Sequence, residues 1–291
     1  MDIKKTGVLA VLTASVLWAI EPSIVKLAYA NCDFIQLSAV RGFVITFIAM
    51  LYIFTTNKGN IKVPVRHLPK IVYLSLAGTL GADLLYYYSL AKIPVINAVL
   101  IGHLQPVFIV LIGFFILKED KVNKFDYIGI AIMIFASLLV TTKTPGNLAS
   151  LKIGTIGDLV VLIATVIWST ATIVTKKYLS SLNVGILIFY RFLFALPIFF
   201  IYLAATSKLI LPNVYQLLVG VIVGVGAILY YEGLKRIKAA QVSSLELSTP
   251  FFAALLGYFI LGELITAMQI IGILLLVLGI CFLSKKEETY F

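Results

Sequence analysis

The chain carries the stretch GVLAVLTASVLWAIEPSIVKLA at residues 7–28 and the related stretch GDLVVLIATVIWSTATIVTKKY at residues 157–178. Each is about as long as the roughly 20 apolar residues that a helix needs to cross the hydrocarbon core of a bilayer. Trp18 of the first stretch recurs as Trp168 of the second, 150 residues later. The two stretches therefore predict a membrane helix that occurs twice in one chain.

Other residues repeat in the same order along the chain. Arg41 recurs as Arg191, and Tyr86, Tyr87, Pro106 and Glu119 recur 144 residues later as Tyr230, Tyr231, Pro250 and Glu263. Self-similarity at a nearly fixed offset indicates a duplicated unit, and we assign the two units to residues 1–146 and 147–291. Because each unit contains an odd number of predicted crossings, the second is expected to be inverted relative to the first, as in many secondary transporters.

The composition also predicts a membrane protein. Hydrophobic residues make up 61% of the chain and charged residues 12%, whereas soluble domains carry about 25% charged residues. Backbone groups in lipid must be satisfied within their own segment, so the spans should be helices. The predicted spans are 7–29, 34–56, 69–91, 94–117, 125–142, 155–178, 184–206, 213–234, 239–261 and 266–283. The predicted fold class is an all-α integral membrane protein with ten transmembrane helices, arranged as two inverted five-helix repeats around a central cavity.

The net charge of +10 follows the predicted topology. When the spans alternate in direction, most of the 23 lysine and arginine residues fall on the side of the N terminus. By the positive-inside rule, both termini are then cytoplasmic and the protein is a multi-pass protein of the cell membrane. The basic residues are explained by topology and by contact with anionic headgroups, so we expect no nucleic-acid partner.

The sequence offers little that would support metal, cofactor or enzyme chemistry. Cys32 and Cys281 fall on opposite sides of the predicted membrane, too far apart for an intramolecular disulfide. No CxxC, HExxH or glycine-rich phosphate loop occurs, and His67 and His103 lie far apart in the sequence. We therefore expect no metal, no cofactor and no catalytic residue.

Further paired segments extend the repeat over almost the whole chain. They are RGFVITFIA at 41–49 with RFLFALPIF at 191–199, and two longer segments at 86–119 and 230–263 that share a mid-helix proline and a terminal Leu-x-Glu. In this order, the segments resemble the EamA-type branch of the drug/metabolite transporter superfamily. The resemblance implies a ten-helix carrier whose central cavity opens alternately to each side and moves small organic solutes, such as amino acids or other metabolites, often outward. Family members include proton-coupled and uncoupled carriers, so the resemblance leaves the energy source open.

Polar and aromatic side chains at membrane depth form the candidate site. An intramembrane charge costs at least roughly 2.5 kcal/mol on insertion scales, so each is a functional candidate by default. The candidates for substrate binding or proton coupling are Glu21, Trp18, Asp83, Tyr86, Tyr87, His103, Gln105, Tyr230, Tyr231, Ser243 and Glu246. Glu21 stands where the family commonly has a small or neutral residue. We hypothesise that Glu21 or Glu246 binds a proton, or a cationic group of the substrate, in alternation with conformational state.

A second group of residues is predicted to be structural or to take part in gating. It consists of Pro22, Pro106, Pro250, Arg41 and Arg191. A proline removes a backbone donor and can leave a carbonyl facing a cavity. We estimate the height of each residue from the predicted cytoplasmic end of its helix, at about 1.5 Å per residue. By this measure, Arg41 lies at the level of Glu21 and Asp83. Arg191 reaches the level of Glu246 instead, so two separate charge-compensated layers are predicted.

These patterns predict a secondary transporter that works by alternating access, with export as the expected direction and proton coupling left open. An uncoupled facilitator or a channel-like permease is the alternative, and a membrane-embedded enzyme acting on lipids is much less favoured because no catalytic cluster lies near an interface. The expected partners are a small-molecule substrate, the lipid bilayer and, for a coupled carrier, a proton. The sequence is compatible with a monomer or a homodimer.

Overall fold

A computed structural model describes residues 3–105, 107–109, 111–112, 124–150, 154–179, 181–209, 211–236, 245–246 and 248–284. These residues are almost entirely helical and include no β-strand. The helices are α1 (Ile3–Ala28), α2 (Phe34–Asn57), α3 (Val65–Leu90), α4 (Val95–Gly102), α5 (Lys124–Thr142), α6 (Ile156–Leu179), α7 (Val184–Ala205), α8 (Val214–Leu234), α9 (Ser248–Leu261) and α10 (Ala267–Ser284). A short helix, Pro145–Ala149, connects α5 to α6.

Helices α1, α2, α3, α6, α7 and α8 are long and apolar enough to cross a membrane. Shorter apolar helical stretches occur at Val95–Ile109, Tyr127–Ala136, Phe252–Leu261 and Ala267–Gly279. The prediction of an all-helical membrane protein is confirmed. The predicted spans 94–117 and 239–261 run partly into residues that the structure does not describe.

Helix α3 departs from the prediction in both its start and its winding. It begins at Val65 rather than at residue 69, and its centre, Leu74–Asp83, is a π-helix. The last turns of α6, Thr175–Leu179, are also π-helical. π-Helical segments are rare in proteins, and those that do occur are often found at functional sites. Hydropathy does not distinguish them from an α-helix, because the chain remains apolar through the change in winding.

Polar contacts define one face of the helix bundle, which we call the Lys26 face. Glu263, just after α9, forms an ion pair with Lys26 of α1 at 3.3 Å and accepts the backbone N–H of Val95 at 2.9 Å. The ends of α1 and α9 therefore lie beside the start of α4. Asn97 donates to Asp158 at 2.9 Å, which adds the start of α6 to this face.

A second set of contacts defines the opposite face, which we call the Tyr52 face. The Tyr52 hydroxyl near the end of α2 donates to Glu232 near the end of α8 at 2.6 Å. Asn183, which caps the start of α7, donates to Thr56 at 3.2 Å. Helix α2 therefore ends at this face and α7 begins there. At the Lys26 face, by contrast, Lys208 after α7 pairs with Asp33 before α2 at 3.0 Å.

Helices that are five apart in the chain run in opposite directions. Helix α1 ends at the Lys26 face and α6 begins there, and the same reversal relates α2 to α7 and α4 to α9. The neighbours of these helices also correspond at a spacing of five. Helix α1 packs against α8 and α9, and α6, five helices later, packs against α3 and α4. Helices α5 and α10 pack mainly against each other.

Two glycines allow α8 to approach α2 closely. Gly220 and Gly224 are four residues apart and so lie on one side of α8, the small-residue spacing typical of close membrane-helix contacts. A Cβ atom at Gly220 would lie 2.5 Å from the Cβ of Val44, and one at Gly224 would lie 3.5 Å from the Cα of Ile45. Both atoms are fixed to the backbone of α2, so they cannot move aside without shifting the helix.

We predict that Gly220→Ala destabilises the protein by about 1–3 kcal/mol, the usual cost of overpacking a close contact. The melting temperature of the purified protein in detergent, followed by size-exclusion fluorescence, measures the effect. Gly146→Ala is the matched control, because a Cβ at Gly146 meets no atom within 4 Å. Equal melting temperatures for the two variants would contradict the close contact between α2 and α8.

Candidate functional site

A cavity of about 280 Å³ lies among α1, α2, α3, α6, α7, α8 and the described residues around α4 and α9. Its walls include Trp18, Glu21, Arg41, Asp83, Tyr86, Tyr87, His103, Gln105, Arg191, Tyr230, Tyr231 and Glu246. Pro106 and Ser243 lie outside the described residues. Residues that are far apart in the sequence thus line one space, although their roles in substrate binding remain predictions.

Asp83 is the central group of the charged part of the cavity. It lies at the end of the π-helix of α3 and is buried. Its carboxylate accepts from Arg41 at 2.9 Å, from Arg191 at 3.2 Å and from the indole N–H of Trp168 at 2.7 Å. Side-chain exposure is 3% for Arg41 and 18% for Arg191, so Arg191 is the guanidinium that a molecule in the cavity could reach.

Glu21 joins the same network through Tyr87. Arg41 donates to the Tyr87 hydroxyl at 3.0 Å, and this hydroxyl donates to the carboxylate of Glu21. The guanidinium of Arg41 also lies 4.4 Å from the centre of the Tyr87 ring, within the range of a cation–π contact. Two carboxylates and two guanidinium groups are therefore linked in one continuous network.

The predicted pairing of Arg191 with Glu246 is wrong, because Arg191 pairs with Asp83. The prediction compared depths of Cα atoms along each helix, and this measure ignores the reach of an arginine side chain. Helices α2 and α7 pack directly against each other, so both arginines can reach a single carboxylate. One charge network replaces the two predicted layers.

Glu246 lies in a part of the cavity with aromatic walls. The rings of Trp18 and Tyr230 are 4.9 Å apart with an interplanar angle of 46°, and Tyr230 meets Tyr231 edge to face at 5.4 Å. The His103 ring bonds to the carbonyl of Val99 in its own helix at 2.7 Å. Within the described parts of the chain, the Glu246 carboxylate has no hydrogen-bond or ion-pair partner.

The remaining predicted residues have more ordinary surroundings. Gln105 donates to Thr172 across the cavity wall at 2.9 Å. Pro22 is buried within the continuous helix α1, and Pro250 is buried in the first turn of α9, where a missing N–H is tolerated. Neither proline is among the described residues that line the cavity.

Sequence reasoning missed two features of the cavity. Trp168 donates to Asp83 and packs against Tyr86 with ring centres 5.1 Å apart. Its repeat partner, Trp18, was a candidate, so the repeat itself could have identified Trp168. The second feature is Gly78, which the repeat could not have identified. A Cβ at this position would lie 3.1 Å from the guanidinium of Arg191, so the glycine leaves room for that group.

Comparison with known proteins decides the family. The EamA-like transporter family matches residues 5–142 and again residues 155–285. The chain belongs to the EamA-like transporter family. It is therefore a multi-pass membrane transport protein, with a small molecule and membrane lipid as its partners.

Relatives and a solved structure agree with this assignment. An uncharacterized transporter of Synechocystis, sll1164, is 31% identical over 67% of this chain, and the match spans 59% of that relative's length. An uncharacterized transporter of Methanothermobacter thermautotrophicus is 25% identical over 95% of this chain and 85% of its own. The pseudopaline exporter CntI of Pseudomonas aeruginosa is 21% identical over 99% of both chains. A crystal structure that is 16% identical shares the fold, with a TM-score of 0.68 over 98% of this chain and 99% of the other.

We predict that Asp83→Asn destabilises the transporter strongly, by about 3–5 kcal/mol, because two buried guanidinium groups lose their shared carboxylate. Unfolding of the purified protein in detergent measures the loss. Adding Arg191→Gln to the same chain should recover part of it, because one unpaired charge is removed. Asp33→Asn is the control, since it disrupts a more exposed ion pair but keeps a good helix cap. If Asp83→Asn lost no more stability than Asp33→Asn, the result would contradict the network.

Proposed function

We propose that this EamA-like transporter is a secondary carrier for small organic solutes and that the central cavity is its substrate site. The observation that carries the proposal is the presence of charged, hydrogen-bonding and aromatic side chains in one interior space. The volume of about 280 Å³ is near the lower end of the roughly 300–1,000 Å³ typical of small-molecule sites. This size suits a solute such as an amino acid or a related metabolite.

We also propose that all ten helices cross the membrane as two inverted five-helix repeats. The opposite directions of α1 and α6, of α2 and α7, and of α4 and α9 support this arrangement. The exchange of neighbours between α1 and α6 is what a two-fold axis in the membrane plane would produce. Alternating access then follows from rocking of the two halves around a central site.

The contact of Glu263 with Lys26 and Val95 has the features of a gate. It ties the ends of α1 and α9 to the start of α4 at the Lys26 face. The repeat offsets relate Lys26 to Lys176 and Glu263 to Glu119, so the same pair of residue types recurs in the other half of the sequence. We propose that the Lys26–Glu263 pair must separate when the cavity opens to the Lys26 face.

Counterflow in liposomes tests the carrier and its gate together. We predict that the purified transporter exchanges a labelled solute with saturation, and that a reversible thiol cross-linker joining Lys26→Cys to Glu263→Cys abolishes this exchange until it is reduced. The background carries Cys32→Ser and Cys281→Ser.

Each single-cysteine variant, treated with the same reagent, is the matched control. Full exchange in the cross-linked protein would exclude the gate. A flux that rises linearly with concentration would indicate a channel-like permease rather than a carrier. Repeating the assay with and without a pH gradient separates a proton-coupled exporter from an uncoupled facilitator.

We propose that the Tyr52 face is cytoplasmic and that both termini lie on it. Basic residues near the helix ends at this face include Lys58, Lys62, Arg66, Lys70, Lys177, Lys235 and Arg236, whereas Lys26, Lys92, Lys143 and Lys208 belong to the other side. The imbalance is the pattern that the positive-inside rule associates with a cytoplasmic surface of the cell membrane.

Cysteine labelling on intact cells tests this orientation. In a background without Cys32 and Cys281, we predict that a membrane-impermeant maleimide labels Asn31→Cys, in the exposed turn after α1, but labels Lys62→Cys only after permeabilisation. The opposite pattern would reverse the proposed topology.

The native Cys32 should serve poorly as such a label. Partial burial, and then the neighbouring Asp33, raise the pKa of its thiol to about 11. Because the thiolate is the reactive form, its labelling should be slow at neutral pH and should accelerate as the pH rises toward that value.

A further inference from the structure

The charges that line the cavity do not balance. Among the described lining residues, Glu21, Asp83 and Glu246 are acidic, whereas Arg41 and Arg191 are basic. Glu21 and Asp83 belong to the arginine network, which accounts for both guanidinium groups. Glu246 is the remaining acidic residue among them.

Glu246 lies beside Tyr230 and beside the ring of His103, which bonds to the Glu246 backbone. It lies close enough to the Tyr230 hydroxyl to interact with it electrostatically, and the Tyr230 ring packs against Trp18. No lysine or arginine that the structure describes pairs with this carboxylate. An isolated carboxylate in a low-dielectric interior is costly, so this group is stabilised either by taking up a proton or by pairing with a positively charged ligand.

Glu246 has no acidic counterpart in the other half of the predicted repeat. The position equivalent to Glu246, at the offset of 144 residues, is Gly102. Gly102 also lines the cavity, and a Cβ there would meet no atom within 4 Å. Among the described lining residues, the cavity therefore presents one carboxylate outside the arginine network rather than a symmetric pair, and this carboxylate can bind one charged end of a solute in a single orientation.

We propose that Glu246, together with the ring faces of Trp18 and Tyr230, binds the ammonium group of the transported solute. The inference rests on the proposed function, in which this cavity is the substrate site. The carboxylate supplies charge, and the aromatic faces attract a desolvated cation, with tryptophan the strongest of the aromatic side chains. Both terms also favour methylated ammonium groups, because cation–π attraction does not require an N–H donor.

Glu21 is the less suitable of the two predicted carboxylates. It accepts from Tyr87, and the same hydroxyl accepts from Arg41. A cation at Glu21 would lie next to the guanidinium of Arg41 and would compete with the existing hydrogen bond. The sequence left Glu21 and Glu246 equivalent, whereas the contacts favour Glu246 for the cation.

Tryptophan fluorescence offers a local readout, because the chain has two tryptophans and both line the cavity. The probes are tert-butylammonium and tert-butanol, which have nearly the same shape but differ in charge. We expect saturable quenching by the ammonium probe in detergent-purified protein, with affinity at least about tenfold higher than for the alcohol.

Glu246→Gln should weaken binding of the ammonium probe at least about tenfold, the equivalent of 1.4 kcal/mol. Glu246→Asp, which keeps the charge, should retain most of the affinity and guards against loss by misfolding. Glu232→Gln is the matched control, because Glu232 pairs with Arg236 and is not among the described lining residues. Unchanged affinity in Glu246→Gln, or a larger loss in Glu21→Gln, would overturn the proposal.

The outcomes for the subsite and for the proposed function are separable. Binding that depends on Glu246 without any exchange in liposomes would refute the carrier and leave the subsite intact. Saturable exchange without preference for ammonium solutes would support the carrier and refute the subsite. If Glu246→Gln keeps its affinity for the ammonium probe but removes the effect of a pH gradient on exchange, the ligand of Glu246 is a proton and the proposal is wrong.

Discussion

The shared ion pair of Asp83 with Arg41 and Arg191 is the interaction on which the interior of this transporter depends. It joins α2, α3 and α7, and it lies in a region where an unpaired charge would be costly. Trp168 brings α6 into the same group through its bond to Asp83. Four helices from both halves of the chain are thus held by one carboxylate, which lies at the end of the π-helical segment.

The residues that recur in the sequence and the acidic residues of the cavity follow different patterns. Arg41 and Arg191 are repeat equivalents, but Asp83 corresponds to Ala227 and Glu246 corresponds to Gly102. Both of these smaller residues also line the cavity. The predicted repeat includes the two guanidinium groups, whereas the acidic groups differ between the two halves of the sequence. A cavity with unequal sides can bind an asymmetric solute in one orientation, which a symmetric one could not do.

Much of the fold was predictable, because hydropathy responds directly to the low polarity of lipid. The predicted spans 34–56 and 213–234 agree closely with α2 (Phe34–Asn57) and α8 (Val214–Leu234), where Asp33 and Asn213 provide side-chain caps. The candidate residues were also found by type, since few polar side chains occur in such apolar segments. The π-helix in α3 was not predicted, and the partner of Arg191 was predicted wrongly, because both depend on helix winding and on the reach of side chains between helices.

The sequence by itself determined that this chain is a helical membrane protein, and it predicted a duplicated unit and a small set of buried polar groups. Lipid excludes unsatisfied backbone, and repeated residues survive at fixed offsets, so these properties can be recognised without coordinates. Only the tertiary structure decided which carboxylate pairs with the arginines and which one lies beside Tyr230 instead. Pairing depends on distances between helices, and the depth of a residue along its helix, which the sequence does supply, assigned Arg191 to Glu246 wrongly.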